Sequence, residues 1–302
     1  MSSSPTLIFM VIFFLESLAA MLQNGFMVTV LGREWVRRRT LPAGDMIVAS
    51  LAASWFCLHG VAILNNLLIF FGFHFVRDYY NTLWHFVNTL TLWLTAWLAV
   101  FYCVKVAVFS HPVFFWLKWR ISRLVPRLLL GSLVLVGLTV ISSAIVTGIL
   151  KQMIASKSSQ GNSTWAERVQ AFYRSFHLFD VMLMWSVPFL LFLVSMLLLV
   201  FSLCRHLGLM RNYRQDPCDP STRVHTMALK SLVFFLVFYT PYFLSLVVVA
   251  IEITNFQSHW YWAWEVVTYA SICLHSSMLV LSSPKLRKVL MTRGLWLAKL
   301  QS

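Results

Sequence analysis

The chain alternates long apolar runs with short polar segments that are mostly basic. The runs cover residues 7–31, 45–71, 83–109, 124–150, 178–203, 226–253 and 260–283. Each reaches the roughly 20 residues that an α-helix needs to cross the hydrocarbon of a bilayer. A helix satisfies its own backbone hydrogen bonds and so needs no polar side chains in mid-span. The pattern predicts an all-α membrane protein, a seven-transmembrane helix bundle filling residues 1–302 as one domain. The first run is too long for a signal-peptide core and no basic region precedes it, so it reads as an uncleaved span. After the last run, cations alternate with Leu286, Val289, Leu290, Leu295, Trp296 and Leu297. That alternation predicts a short amphipathic C-terminal helix lying on the membrane surface.

The polar segments set the orientation. Arg33, Arg37, Arg38 and Arg39 follow the first run, and Lys118, Arg120, Arg123 and Arg127 follow the third. Further cations lie at 205–230 and in the tail, whereas the alternate segments hold only Arg77, Lys151, Lys157, Arg168 and Arg174. An excess of Lys and Arg marks the cytoplasmic side. It predicts an N-terminus outside and a C-terminus inside. The segment 151–177 then becomes the longest outer connection, and its Asn162-Ser163-Thr164 is a glycosylation sequon on the lumenal side.

Composition narrows the function. The chain is 59% hydrophobic and only 11% charged, where an ordinary soluble domain carries about a quarter charged residues. The net charge of +14 sits in short clusters between spans, not in a basic soluble module, which argues against nucleic-acid binding. Cys57, Cys103, Cys204, Cys218 and Cys273 lack metal-ligand spacing and fall outside the expected outer segments, so neither a metal site nor a structural disulfide is expected. No motif assembles nucleophile, base and oxyanion donors, so the chain does not read as an enzyme, and no cofactor is expected.

Polar residues inside the spans are the candidates for function. Trp84 and Asn88 are four apart and share a helix face. They read either as a ligand platform with an amide anchor or as an interfacial tryptophan with a helix–helix hydrogen bond. Glu265 lies about one turn into the seventh run with Thr268 on the same face, and acids within spans are functional candidates by default. It reads as an anchor for cationic ligands or as a solvated residue at the helix mouth. Glu16 is open between a functional role and simple contact with water or a neighbouring helix. Asn65 and Asn66 are weaker candidates on the second run. Pro188 and Pro241 are expected to kink the fifth and sixth helices.

Several motifs carry a family likeness. The third run leads into Phe101-Tyr102-x-x-Lys105-Val106-Ala107-x-Phe109-Ser110 and on to Leu117-Lys118-Trp119-Arg120. To this are added Asn24-Gly25-Phe26 with Glu34-Trp35, Asp45 with Leu51-Ala52-Ala53-Ser54, His225-x-x-Ala228-Leu229-Lys230, and His275-Ser276-x-x-Leu279-Val280 with Lys285-Leu286-Arg287. In order and spacing these resemble the vertebrate bitter taste receptors, the type 2 taste receptor family. The resemblance implies a plasma-membrane G-protein-coupled receptor for bitter small molecules. Its partners would be those agonists, membrane lipid and a heterotrimeric G protein of the gustducin type.

The resemblance also implies roles. Trp84 and Asn88 match ligand-contacting positions, and Tyr242, beside Pro241, matches an aromatic at the pocket floor. Tyr102, Lys105, His225, Lys230, His275 and Lys285 match positions expected to rearrange for G-protein coupling. Two positions depart from the pattern: Trp55 stands where the family has an arginine, and Ser283 where it usually has an asparagine. Both fall in the signalling half, which leaves open a receptor-shaped chain with impaired signalling. A polytopic small-molecule transporter is the other alternative, although no internal repeat supports it.

Overall fold

The computed structural model describes residues 4–72, 77–107, 112–158, 163–213, 220–250 and 259–301. These form eight helices: α1 Ser4–Arg38, α2 Ala43–Phe70, α3 Arg77–Val106, α4 Pro112–Ser158, α5 Ser163–Tyr213, α6 Pro220–Ala250, α7 His259–Ser282 and α8 Pro284–Gln301. Among the described residues α1–α5 and α7 contain stretches long and apolar enough to cross a membrane, and α6 adds a shorter one at Leu232–Val248.

The helices extend well beyond the apolar runs. The basic segment expected as a loop around 118–127 is the first part of α4, so Pro126 lies inside that helix and does not open it. The expected outer connection 151–177 is also largely helical, because α4 runs to Ser158 and α5 begins at Ser163. Likewise α5 continues past Arg205 to Tyr213. The reason is that Lys, Arg, Gln and Leu are good helix formers in water as well as in lipid. Hydropathy marks where the hydrocarbon ends, not where the helix ends. Asn162, Cys218 and Glu252 lie outside the described residues, as does the side chain of His225.

Helix ends follow local chemistry. Pro112, Pro220 and Pro284 each open a helix, where the missing N–H would have had no partner. Ser283 separates α7 from α8: its N–H donates to Leu279 O at 3.2 Å, while its Oγ accepts from Leu286 N–H at 3.4 Å. It is therefore the N-cap of α8. Arg39 closes α1 with a left-handed φ of 60° and donates its N–H to Trp35 O at 2.7 Å.

The helices close into a ring in which α1 packs on α2 and α7, α2 on α3, α3 on α5, α5 on α6, and α6 on α7. α4 stands outside this ring against α3, and α8 rests on α7. Of the membrane-length helices, α3 is the most buried and α4 the least. The core interleaves Phe13, Trp55, Leu58, Leu98, Phe192 and Tyr242 from five helices. Two polar contacts join α1 to α7: Ser276 Oγ donates to Asn24 Oδ1 at 3.1 Å, and Gln23 Nε2 donates to Ser277 Oγ at 2.8 Å.

At the basic end of the bundle, Lys285 ties α8 to two other helices. Its Nζ pairs with Asp45 of α2 at 2.9 Å and with Glu34 of α1, which also pairs with Arg38 at 3.4 Å. The side chains are 33% exposed for Lys285 and 15% for Glu34, so water screens the cluster only in part. We predict that Lys285→Gln lowers stability by about 1–2 kcal/mol, more than an exposed pair contributes. Thermal unfolding in detergent should show a lower midpoint for Lys285→Gln and little change for Arg287→Gln, whose side chain is exposed.

Candidate ligand site

A buried polar stripe along α3 builds the site. Trp84, Asn88, Thr91 and Thr95 recur at intervals of three and four and so lie on one helix face. Thr91 and Thr95 return their hydroxyls to Val87 O and Thr91 O at 2.7 and 2.8 Å. Self-pairing of this kind hides a hydroxyl from lipid without a second helix. Asn88 and Trp84 instead reach their partners across the bundle.

Asn88 is fully buried. Its Oδ1 accepts from the Tyr242 hydroxyl of α6, and its Nδ2 has no partner among the described residues. Trp84 Nε1 donates to the Tyr269 hydroxyl of α7 at 3.0 Å. Trp185 of α5 meets Trp84 edge-on at 6.3 Å and donates its own Nε1 to Thr89 Oγ1 at 2.9 Å. One face of α3 is thus joined to α5, α6 and α7, each through an aromatic side chain with one polar atom. Large rings with a single polar handle suit this position, since they fill space and still satisfy a buried donor.

A second group lies toward α1 and α2. The Tyr261 hydroxyl donates to Asn66 Oδ1 at 3.3 Å, and Asn66 Nδ2 donates to Ala62 O at 3.0 Å. Glu265, one turn on from Tyr261, lies within that tyrosine's hydrogen-bonding reach. Glu16 of α1 is close enough to Glu265 for their charges to interact, and its Oε1 is shielded without a hydrogen-bond partner among the described residues.

The sequence-predicted residues therefore separate into three groups. Trp84, Asn88 and Tyr242 form one constellation, while Glu265 and Asn66 are linked through Tyr261. Thr268 Oγ1 is committed to Trp264 O at 2.9 Å, and Asn65 is half-buried beside Asn66 without joining its chain. Trp185, Thr89 and Tyr261 were not singled out by sequence. Only the density of aromatics in the spans hints at them, and nothing in the periodicity says which helix each would meet.

The positions matched to coupling are also dispersed. Lys105 Nζ donates to Lys118 O at 3.3 Å, bringing the end of α3 onto α4. Tyr102 lies near Asp45, and Lys230 is exposed. Lys285 is engaged in the ionic cluster described above. His275 lies in the core, with Phe235 at 3.7 Å, Trp55 edge-on at 4.6 Å and Tyr239 at 6.0 Å. Neither His275 nitrogen nor Trp55 Nε1 has a partner among the described residues.

A closed ring of apolar helices, with an aromatic and amide cluster between α3, α5, α6 and α7, is the architecture of a multi-pass membrane protein. The comparisons then specify which. The profile described as Taste receptor protein (TAS2R) matches residues 1–298. Over 293 residues the chain is 62% identical to Taste receptor type 2 member 62 of Pan paniscus, covering 97% of this chain and 94% of that one. Identity is 58% to Taste receptor type 2 member 143 of Rattus norvegicus, over 97% and 100% of the two chains. It is 40% to Taste receptor type 2 member 16 of Homo sapiens, over 94% and 97%. The chain belongs to the type 2 taste receptor family, and its relatives are receptors, not enzymes.

The contact between α3 and α6 generates a test. Tyr242→Phe keeps the ring and removes the hydroxyl, leaving Asn88 Oδ1 buried without its donor. An unmet buried acceptor costs about 1–3 kcal/mol. Thermal unfolding of Tyr242→Phe should shift down accordingly, and Tyr242→Phe combined with Asn88→Leu, which removes both polar partners, should recover part of that loss.

Proposed function

We propose that the chain is a G-protein-coupled receptor for bitter small molecules, with its ligand site between α3, α5, α6 and α7 and its basic end in the cytosol. The observation that carries the reading is the Asn88 side chain. Its oxygen is held by Tyr242 of α6, while its buried amide nitrogen has no partner among the described residues. A ligand acceptor meeting that nitrogen would act on the same side chain that holds α6. Trp84 and Trp185 would supply flat apolar walls, the usual lining of a small-molecule site. Glu265 would draw protonated amines, with Asn66, Asn65 and Thr268 at the edge of the site.

Signalling would follow as a population shift. An agonist moves the equilibrium only if it binds the active arrangement better than the resting one. Tyr242 stands 5.6 Å from Tyr239, which in turn lies against His275, itself edge-on to Trp55. A change at Asn88 would therefore repack a continuous aromatic column and move α6, whose Pro241 is adjacent to Tyr242. The basic end, with Tyr102, Lys105, His225, Lys230 and Lys285, would then admit a gustducin-type heterotrimer.

Trp55 fits this column as an aromatic side chain. An arginine in its place would set a cation beside the His275 ring in a buried apolar box, a costly arrangement. The departure from the family pattern thus keeps the column filled by an aromatic side chain. Asn162 would carry an N-linked glycan on the opposite side of the membrane.

The test is agonist-evoked calcium in cells that express the chain with a promiscuous G protein, read against a varied panel of bitter compounds. We expect dose-dependent responses that Trp84→Ala weakens at least tenfold in potency, and a selective loss of amine agonists in Glu265→Gln. In the same cells Asn162→Gln should abolish a glycosidase-sensitive gel shift, which tests the orientation. Responses unaffected by Trp84→Ala would remove the site from this part of the bundle.

A further inference from the structure

A groove of about 460 Å³ runs along the outside of α1 at the basic end, lined by Val28, Thr29, Gly32, Arg33, Val36 and Arg37. Two ridges form it. Val28, Gly32 and Val36 recur every four residues, and so do Thr29, Arg33 and Arg37, so that the ridges lie side by side along the helix. Between Val28 and Arg37 the helix rises about 14 Å. The groove therefore runs from an apolar part of the span into the basic segment beyond it.

Two details shape this surface and a third, its unpaired cations, distinguishes it from an ordinary lipid-facing one. At Gly32 a Cβ would meet nothing within 4 Å, so the glycine is a notch that no neighbouring helix fills. Thr29 Oγ1 donates to Gly25 O at 2.7 Å, which turns its hydroxyl back to its own helix. Arg33 and Arg37 are exposed and have no ion-pair or hydrogen-bond partner among the described residues, whereas Arg38 is committed to Glu34. Glu34, the acid nearest to them in sequence, is paired with Arg38 and with Lys285. Two unneutralised guanidiniums thus stand one helical turn apart at the head of an apolar notch.

We propose that this groove binds one anionic phospholipid, its phosphate held between Arg33 and Arg37 and an acyl chain lying over Gly32 between Val28 and Val36. Guanidinium forks match phosphate oxygens in geometry as well as charge. Anionic lipid is concentrated in the cytoplasmic leaflet, so occupancy in cells rests on the orientation proposed above. Binding to the purified chain does not, and the two can fail separately.

The test uses the full chain purified in neutral detergent and supplied with equal amounts of dioleoylphosphatidylserine and dioleoylphosphatidylcholine, with retained lipid counted by native mass spectrometry. We expect preferential retention of one phosphatidylserine. Each charge removed should weaken it about fivefold, so that Arg33→Gln with Arg37→Gln lowers it about twenty-fivefold. Gly32→Leu fills the notch without changing charge, starting from a Cβ that meets nothing within 4 Å, and it should also reduce retention. Arg123→Gln with Arg127→Gln, on exposed positions of α4, should leave it unchanged. Equal losses in the α4 variant, or full retention by Gly32→Leu, would overturn the site in favour of diffuse charge attraction. Competition by soluble glycerophosphoserine at the lipid's own concentration would overturn the lipid as occupant. Unfolding midpoints equal to that of the native chain would show that the variants fold.

Discussion

The hydrogen bond between Asn88 and Tyr242 is the contact on which the receptor reading depends, because hydrocarbon supplies no alternative partner for either group. Most polar side chains in the spans meet this constraint within their own helix, as Thr91, Thr95, Thr240 and Ser271 do by bonding a carbonyl one turn back. Asn88 cannot satisfy an amide oxygen that way and reaches to α6. Trp84 and Trp185 do the same toward α7 and within the α3–α5 contact. The polar face of the most buried helix is thus a set of ties between helices, and a ligand that altered one tie would alter how those helices sit. In the proposed mechanism, satisfying polar groups in lipid and transmitting a signal become one problem.

Aromatic packing carries the contact further. Tyr242, Tyr239, His275, Phe235 and Trp55 form a column from the α3–α6 tie down to α2 and α7. Such a column is close-packed and responds by discrete repacking, not by continuous bending. At the basic end of the bundle the Lys285 cluster anchors α8 to α1 and α2.

Much of this architecture was legible in the sequence, for a physical reason. Spans announce themselves because lipid demands about twenty apolar residues, and charge clusters announce themselves because cations stay out of hydrocarbon. Family motifs far apart in the chain proved to be contact partners: Asn24 meets Ser276, and Asp45 meets Lys285. Ser283, a departure when read by identity, is an N-cap, a role that serine and asparagine fill almost equally well. What could not be read was where helices end in water, since the basic segment of α4 keeps its helix without an apolar signal. Nor could the partners of individual aromatics be read. Trp185 and Tyr261 sit in runs dominated by apolar and aromatic residues, so only the packing of whole helices decides what each ring meets.

The most direct test of the transmission claim is a distance measurement across the basic end. Spin labels on Val106→Cys of α3 and Lys230→Cys of α6, with Cys57, Cys204, Cys218 and Cys273 replaced, report that separation by double electron–electron resonance in lipid nanodiscs. Addition of an agonist should populate a second, longer distance in the native background, and Tyr242→Phe should change the balance of the two without agonist. A single distance that agonist leaves unmoved, at concentrations that saturate binding, would contradict the account.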